Sequence, residues 1–154
     1  MPPSTSTADA ARSLFVDTGA LFAVFNPNDE RHDAARVVMQ KIRTGEAPYR
    51  PLYISSFAVG ELATLMLRKL GHDAAVEGIQ RIRESPNLII LYPGPAAFAN
   101  TCAEFSRYDD QQISFVDHMT GVLADERDAT HVFAFDSDFR TLGLTVVPED
   151  VGIL

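Results

Sequence analysis

Tryptophan is absent from this chain, cysteine occurs once, and lysine occurs only at Lys41 and Lys69. The lone Cys102 excludes an intramolecular disulfide and suits a reducing compartment, so a cytoplasmic location is expected. Lying in "AAFANTCAEF" at helical apolar spacing, it reads as a buried structural thiol rather than a nucleophile. Apolar runs such as Leu88–Tyr92 fall far short of the ~20 residues that cross a bilayer, and no membrane role is expected. The opening "MPPSTSTADAARS" has no apolar segment and so does not read as a signal peptide. Residues 1–12 are expected to be a flexible leader. With 21 Asp and Glu against 13 Lys and Arg the formal charge is −8. That balance argues against a basic face that wraps nucleic acid.

What is present is a chain of 154 residues, 46% hydrophobic and 22% charged. This suits one globular domain, residues 13–154, able to bury a core. Apolar, β-prone runs at Leu14–Val16, Leu52–Ile54, Leu88–Tyr92, Val132–Phe135 and Leu144–Val147 alternate with segments of helical spacing. "SFAVGELATLMLRKLG" opens on a serine and closes on Gly71, and "HDAAVEGIQRIRESP" stops at Pro86. "GPAAFANTCAEFSRY" starts with a proline in its first turn, and "SFVDHMTGVLADERDA" starts at Ser114. Strands separated by helices imply crossover connections. The predicted fold class is α/β, a three-layer α/β/α arrangement with a five-stranded, mainly parallel central sheet. The tetrapeptide "HDAA" at His32 and His72 has unmatched surroundings and marks no repeat.

Acidic residues stand where apolar strands end. "SLFVDTGAL" runs into Asp17, and "THVFAFDSDF" runs into Asp136 and Asp138. In an open parallel sheet, ligands bind beyond the carboxyl ends of the strands. If the two strands are neighbours, their acids share one crevice. Glu61 lies in "SSFAVGELATLM" within a stripe formed by Phe57, Ala58 and Leu65, where an unpartnered carboxylate is costly. Asp117 lies in the first turn of the helix after Ser114. Each acid also has a plainer reading. Asp17 caps "TGALFAVF", Ser114 and Asp117 form a capping box, Glu61 faces water, and Asp136 with Asp138 cap "DFRTLG". Those readings do not explain why all five fall where a parallel sheet would gather them.

Gathered carboxylates repel and resist ionisation, whereas a divalent cation holds them charged. Oxygen donors without a converging His/Cys set point to one or two Mg2+ or Mn2+ ions rather than zinc. Two such ions ~3.5–4 Å apart can clamp a phosphodiester undergoing cleavage. With the five acids set aside, the formal charge falls from −8 to −3. Bound cations would then supply the attraction for phosphate that side chains lack. Arg12, Arg50, Arg107 and Arg140 flank expected loops and read as solvated. His118, about 100° around the helix from Asp117, reads as packing or solvent-facing. Asp109 and Asp110 read as a solvated loop.

The assembled residues resemble the PIN-domain ribonucleases, specifically the VapC-type toxins of toxin–antitoxin pairs, over Leu14 to Pro148. "FVDTGAL" resembles the family's opening strand with its first acid, Asp17. "ISSFAVGELATLM" resembles the segment holding the second, Glu61. "YDDQQISFVDHMT" is similar to the D-x-x-x-S-F-x-D stretch and puts the third at Asp117. "FAFDSDFRTLGL" resembles the closing T-x-D-x-D-F motif, with Asp136 and Asp138. "NPNDERHDAA" is similar to the start of the second helix, where a histidine is common. Ala134 replaces the threonine often found in the closing motif. The resemblance implies a Mg2+- or Mn2+-dependent endoribonuclease on single-stranded RNA, held inactive by a cognate antitoxin and usually homodimeric. Asp17, Glu61, Asp117 and one of Asp136 and Asp138 would hold the ions. The first alternative is a catalytically inactive PIN fold that serves as a scaffold. A DxD-type phosphatase is a second alternative, but that family opens on its motif and follows it with Thr or Val where this chain has Arg140. A phosphate-receiving signalling domain needs a lysine after its last strand, and none is there.

Overall fold

The computed structural model describes residues 10–109 and 112–153. The expected leader lies largely outside the described residues, as does Asp110. The first strand begins at Arg12, one residue inside the expected leader. In chain order the elements are β1 (Arg12–Val16), α1 (Thr18–Phe25), α2 (His32–Thr44), β2 (Tyr49–Ser55), α3 (Ser56–Leu70) and α4 (His72–Glu84). They are followed by β3 (Leu88–Leu91), α5 (Pro95–Arg107), α6 (Phe115–Glu126), β4 (His131–Phe133), α7 (Asp138–Thr141) and β5 (Thr145–Val147). All five expected strands form, and every pairing between them is parallel in the order β3-β2-β1-β4-β5.

Strand alternation builds the three layers. Leu14 and Val16 of β1, Leu52 and Ile54 of β2, Phe133 and Val147 point to one face and pack under α1–α4. Phe15, Val132 and Val146 point to the other face and pack under α5, α6 and α7 through Ala97, Met119, Leu123 and Phe139. Such near-continuous apolar strands are what a sheet covered on both faces requires.

Capping fixes where the helices start. Ser55 Oγ accepts from the Ala58 N–H at 3.0 Å and Ser114 Oγ accepts from the Asp117 N–H at 3.1 Å. Each satisfies a donor that the first helical turn leaves open. α3 ends at Gly71, whose φ of 96° favours glycine and turns the chain into α4. Cys102 departs from expectation, since it is exposed rather than buried. The inward residues of α5 are Ala97 and Thr101, and one further residue along turns the thiol off that face.

Candidate active site

β1 is the central strand and β4 is its neighbour, with Val16 paired to Phe133. The order of connections reverses between these two strands, the place where an open α/β sheet opens a crevice. Asp17 follows β1 directly, and its N–H donates to Phe133 O at 2.9 Å. Asp136 comes three residues beyond β4. Asp17 and Asp136 line one cleft of about 380 Å3, together with Gly19, Asp29, Glu30, Arg31 and Phe135. The expected juxtaposition of the two strand-end acids is therefore present.

The plainer roles of these residues coexist with the shared location. Asp17 is the N-cap of α1 and accepts from the Gly19 N–H at 3.1 Å. Asp136 Oδ1 accepts from the Asp138 N–H at 2.8 Å, closing the turn that starts α7. Ser114 supplies its half of the capping box to Asp117. Each bond consumes one lone pair of a group that has several, so capping and ligation do not compete. Thr18 is buried and its hydroxyl donates to Ala58 O at 3.4 Å, tying the start of α1 to the start of α3. That contact sets Asp17 against the helix carrying Glu61.

Glu61 corrects part of the sequence reading. The buried stripe of α3 is Ala58, Leu62 and Met66, whereas Glu61 is exposed and Phe57 is also largely outside. Glu61 thus faces solvent at the rim, not an apolar interior. Its charge nevertheless reaches the centre, because it helps hold up the pKa of both Asp17 and Asp117.

Burial and neighbouring carboxylates act together on Asp17 and Asp117. Burial, followed by the nearby Asp117 carboxylate, pushes Asp17 from an ordinary 3.8 up to about 7. The Gly19 N–H pulls the other way, while Asp136 and Glu61 add to the rise. Asp117 is raised to about 6 by burial first, then by Asp136 and Glu61, with the Ser114 hydroxyl opposing and Asp138 adding a little. Among the described residues no cation forms an ion pair with any of the five acids. Nor do any three His, Cys, Asp or Glu side chains there already stand at metal-binding spacing. Hard oxygen donors, with Asp17 and Asp117 partly buried and no ion pair to any of the acids among the described residues, fit a hard divalent ion.

The histidines stand apart from this centre. His118 is buried, packed edge-on to Phe105 and at 5.3 Å from the Tyr108 ring, which makes packing its role. His32 Nδ1 is 2.7 Å from Ala23 O and locks the α1–α2 connection. Ala134 is fully buried, so its position offers no hydroxyl to the neighbouring acids. Arg31, not singled out from the sequence, lies in the cleft with Asp17 and Asp136. Its only sequence signal was membership of "NPNDERHDAA", which reads as a helix start.

Comparison with known proteins agrees with this construction. The profile of the PIN domain matches residues 14–143. A curated relative, the "23S rRNA-specific endonuclease VapC20" of Mycobacterium tuberculosis, is 28% identical over 134 residues, covering 87% of this chain and 97% of its own. The crystal structure of M. tuberculosis VapC20, titled a Sarcin-Ricin loop cleaving toxin, superposes with a TM-score of 0.76 over 86% of this chain and 97% of that one. FitAcB from Neisseria gonorrhoeae, 15% identical, shares the fold with a TM-score of 0.55 over 86% of this chain and 95% of that one. With a matched profile running from the first strand to the turn before the last, and the strand-end acids placed around one switch point, the chain belongs to the PIN-domain family.

Proposed function

We propose that this protein is a divalent-metal-dependent endoribonuclease that cleaves single-stranded RNA, acting in the cytoplasm as the toxin of a toxin–antitoxin pair. The observation that carries the reading is the shared cleft of Asp17 and Asp136 beside β1 and β4, with Asp117 and Glu61 acting on Asp17 and no ion pair to any of the five acids among the described residues. Asp17, Glu61, Asp117 and Asp136 are the residues assigned to hold Mg2+ or Mn2+, with Asp138 close enough to Asp117 to share in the charge. When bound, one or two such ions would lower the pKa of a water and offset charge on the phosphate. Asp17, fixed by its cap bond, keeps its carboxylate at the end of β1. Asp117, whose backbone N–H is capped by Ser114, would help orient the attacking water and take up its proton. Asp136 closes the far wall of the cleft. The test is cleavage of a labelled single-stranded RNA with Mg2+ or Mn2+, and again with chelator. Loss on chelation is expected. RNA binding with no cleavage under either ion would make the protein a scaffold instead.

The homodimer has its own support. Phe57, Phe98 and Phe105 are 38%, 44% and 48% exposed and gather around the half-buried Phe115. Ring centroids lie 6.1 Å apart for Phe57–Phe98, 5.6 Å for Phe98–Phe115 and 5.7 Å for Phe105–Phe115. An exposed aromatic cluster of this kind marks an interface, and we assign it to a second copy of the chain. Phe98→Asp should convert a dimer into a monomer by light scattering after gel filtration, weakening association by roughly 100-fold or more. An unchanged mass would exclude this face. A separate apolar groove lies between α3 and α4, with Leu67 and Val76 about half exposed.

A further inference from the structure

We propose that Arg31 grips a non-bridging oxygen of the RNA phosphate at the cleavage site, a role that rests on the nuclease reading above. In a chain with 13 Lys and Arg against 21 acids, a guanidinium in the acidic cleft is the least expected residue to find. Asp17, Asp29, Glu30 and Asp136 line the cleft with it, yet no ion pair to Arg31 forms among the described residues. What holds the side chain is the ring of Phe135, with the guanidinium carbon 5.4 Å from its centroid. A cation–π contact uses the flat face of the guanidinium and leaves its N–H edge free. That edge can donate two parallel bonds to phosphate oxygens.

The backbone beneath is equally fixed. The Arg31 N–H donates to Asp29 Oδ1 at 2.8 Å, and the Asp29 N–H donates to Asn26 O at 3.0 Å. The Asn28 N–H donates to Asn26 Oδ1 at 3.0 Å, and the His32 N–H donates to Asp29 O at 3.0 Å. The loop is thus tied at each step, and Arg31 stands preset in the cleft that Asp17 and Asp136 line. Preset donors need no reorganisation as negative charge builds on phosphorus. Two other arginines stand elsewhere. Arg140 makes Nε and Nη2 bonds of 3.0 and 2.7 Å to Asp150, and Arg12 sits at the start of β1, the opposite rim from the site.

The experiment compares wild type, Arg31→Lys and Arg31→Ala in cleavage of a single-stranded RNA oligonucleotide under saturating Mn2+, across a salt series. Arg31→Ala should lower kcat/KM by about 100-fold and reduce the slope of log(kcat/KM) against log[salt] by about one. Arg31→Lys should recover about tenfold of that loss, because a point charge keeps the attraction but loses the fork. Thermal midpoints should agree within a degree or two, since the side chain is exposed. Wild-type cleavage with Arg31→Ala within about threefold of it would overturn the arginine's role and leave the nuclease standing. A large loss with unchanged salt slope and no recovery in Arg31→Lys would make Arg31 a structural residue, which also overturns it. No cleavage by wild type under either ion would overturn the nuclease reading and this one together.

Discussion

Asp17→Asn should lower metal-dependent RNA cleavage by roughly 10³-fold or more while leaving the fold in place. The substitution suits this test because of what it keeps. Asparagine is as good an N-cap as aspartate, so its Oδ1 can still accept from the Gly19 N–H and α1 keeps its start. Only the charge is lost, at the position where Asp117, Asp136 and Glu61 all converge electrostatically. Glu61→Gln, on the solvent side of the centre, should cost less, about 10- to 100-fold. Multiple-turnover kinetics with Mg2+ and Mn2+ and a circular dichroism spectrum of each variant check both statements. Asp17→Asn cleaving within tenfold of wild type would rule out this site.

The second large effect concerns stability against pH in chelator. The folded pKa of Asp17 is raised to about 7 from an ordinary 3.8. Below about pH 4 both folded and unfolded chains carry the neutral acid, and no cost arises. Between about pH 4 and pH 7 the unfolded chain ionises while the folded state keeps its proton, so stability falls across that window and levels off above it. Asp117, raised to about 6, adds to the same trend. Asp17→Asn removes the largest contribution. It should match wild type near pH 4 and exceed it at pH 8 by about 3 kcal/mol, a shift of roughly 6–12 °C in Tm. Adding Mg2+ or Mn2+ at pH 8 should raise the wild-type Tm and leave the variant where it was. Thermal scans at both pH values decide it, and a Tm difference that does not change with pH would contradict this account.

Much of this architecture was legible from local pattern. The five strands and the helices between them announce themselves by apolar runs and cap residues, because both signals lie within one or two turns of chain. The shared cleft of Asp17 and Asp136 was legible for a related reason, since a carboxylate just past a buried strand is locally out of place. Glu61 misled because Phe57 and Leu65 mimic a core stripe on one helix. The actual core side is chosen by what the sheet presents, namely Leu14, Val16 and Ile54 against Ala58, Leu62 and Met66. Cys102 misled in the same way. Arg31 and the aromatic cluster of Phe57, Phe98, Phe105 and Phe115 were not legible at all. The first owes its place to Phe135, far along the chain, and the second is assembled from three helices.

The strand that begins the chain ends up in the middle of the sheet, flanked by β2 on one side and β4 on the other. During synthesis one edge of β1 therefore stays bare until β4, far along the chain, has been made. Asp136 arrives at the crevice only then. A product terminated before Asp136 would lack that wall of the cleft and is expected to be inert in the RNA cleavage assay.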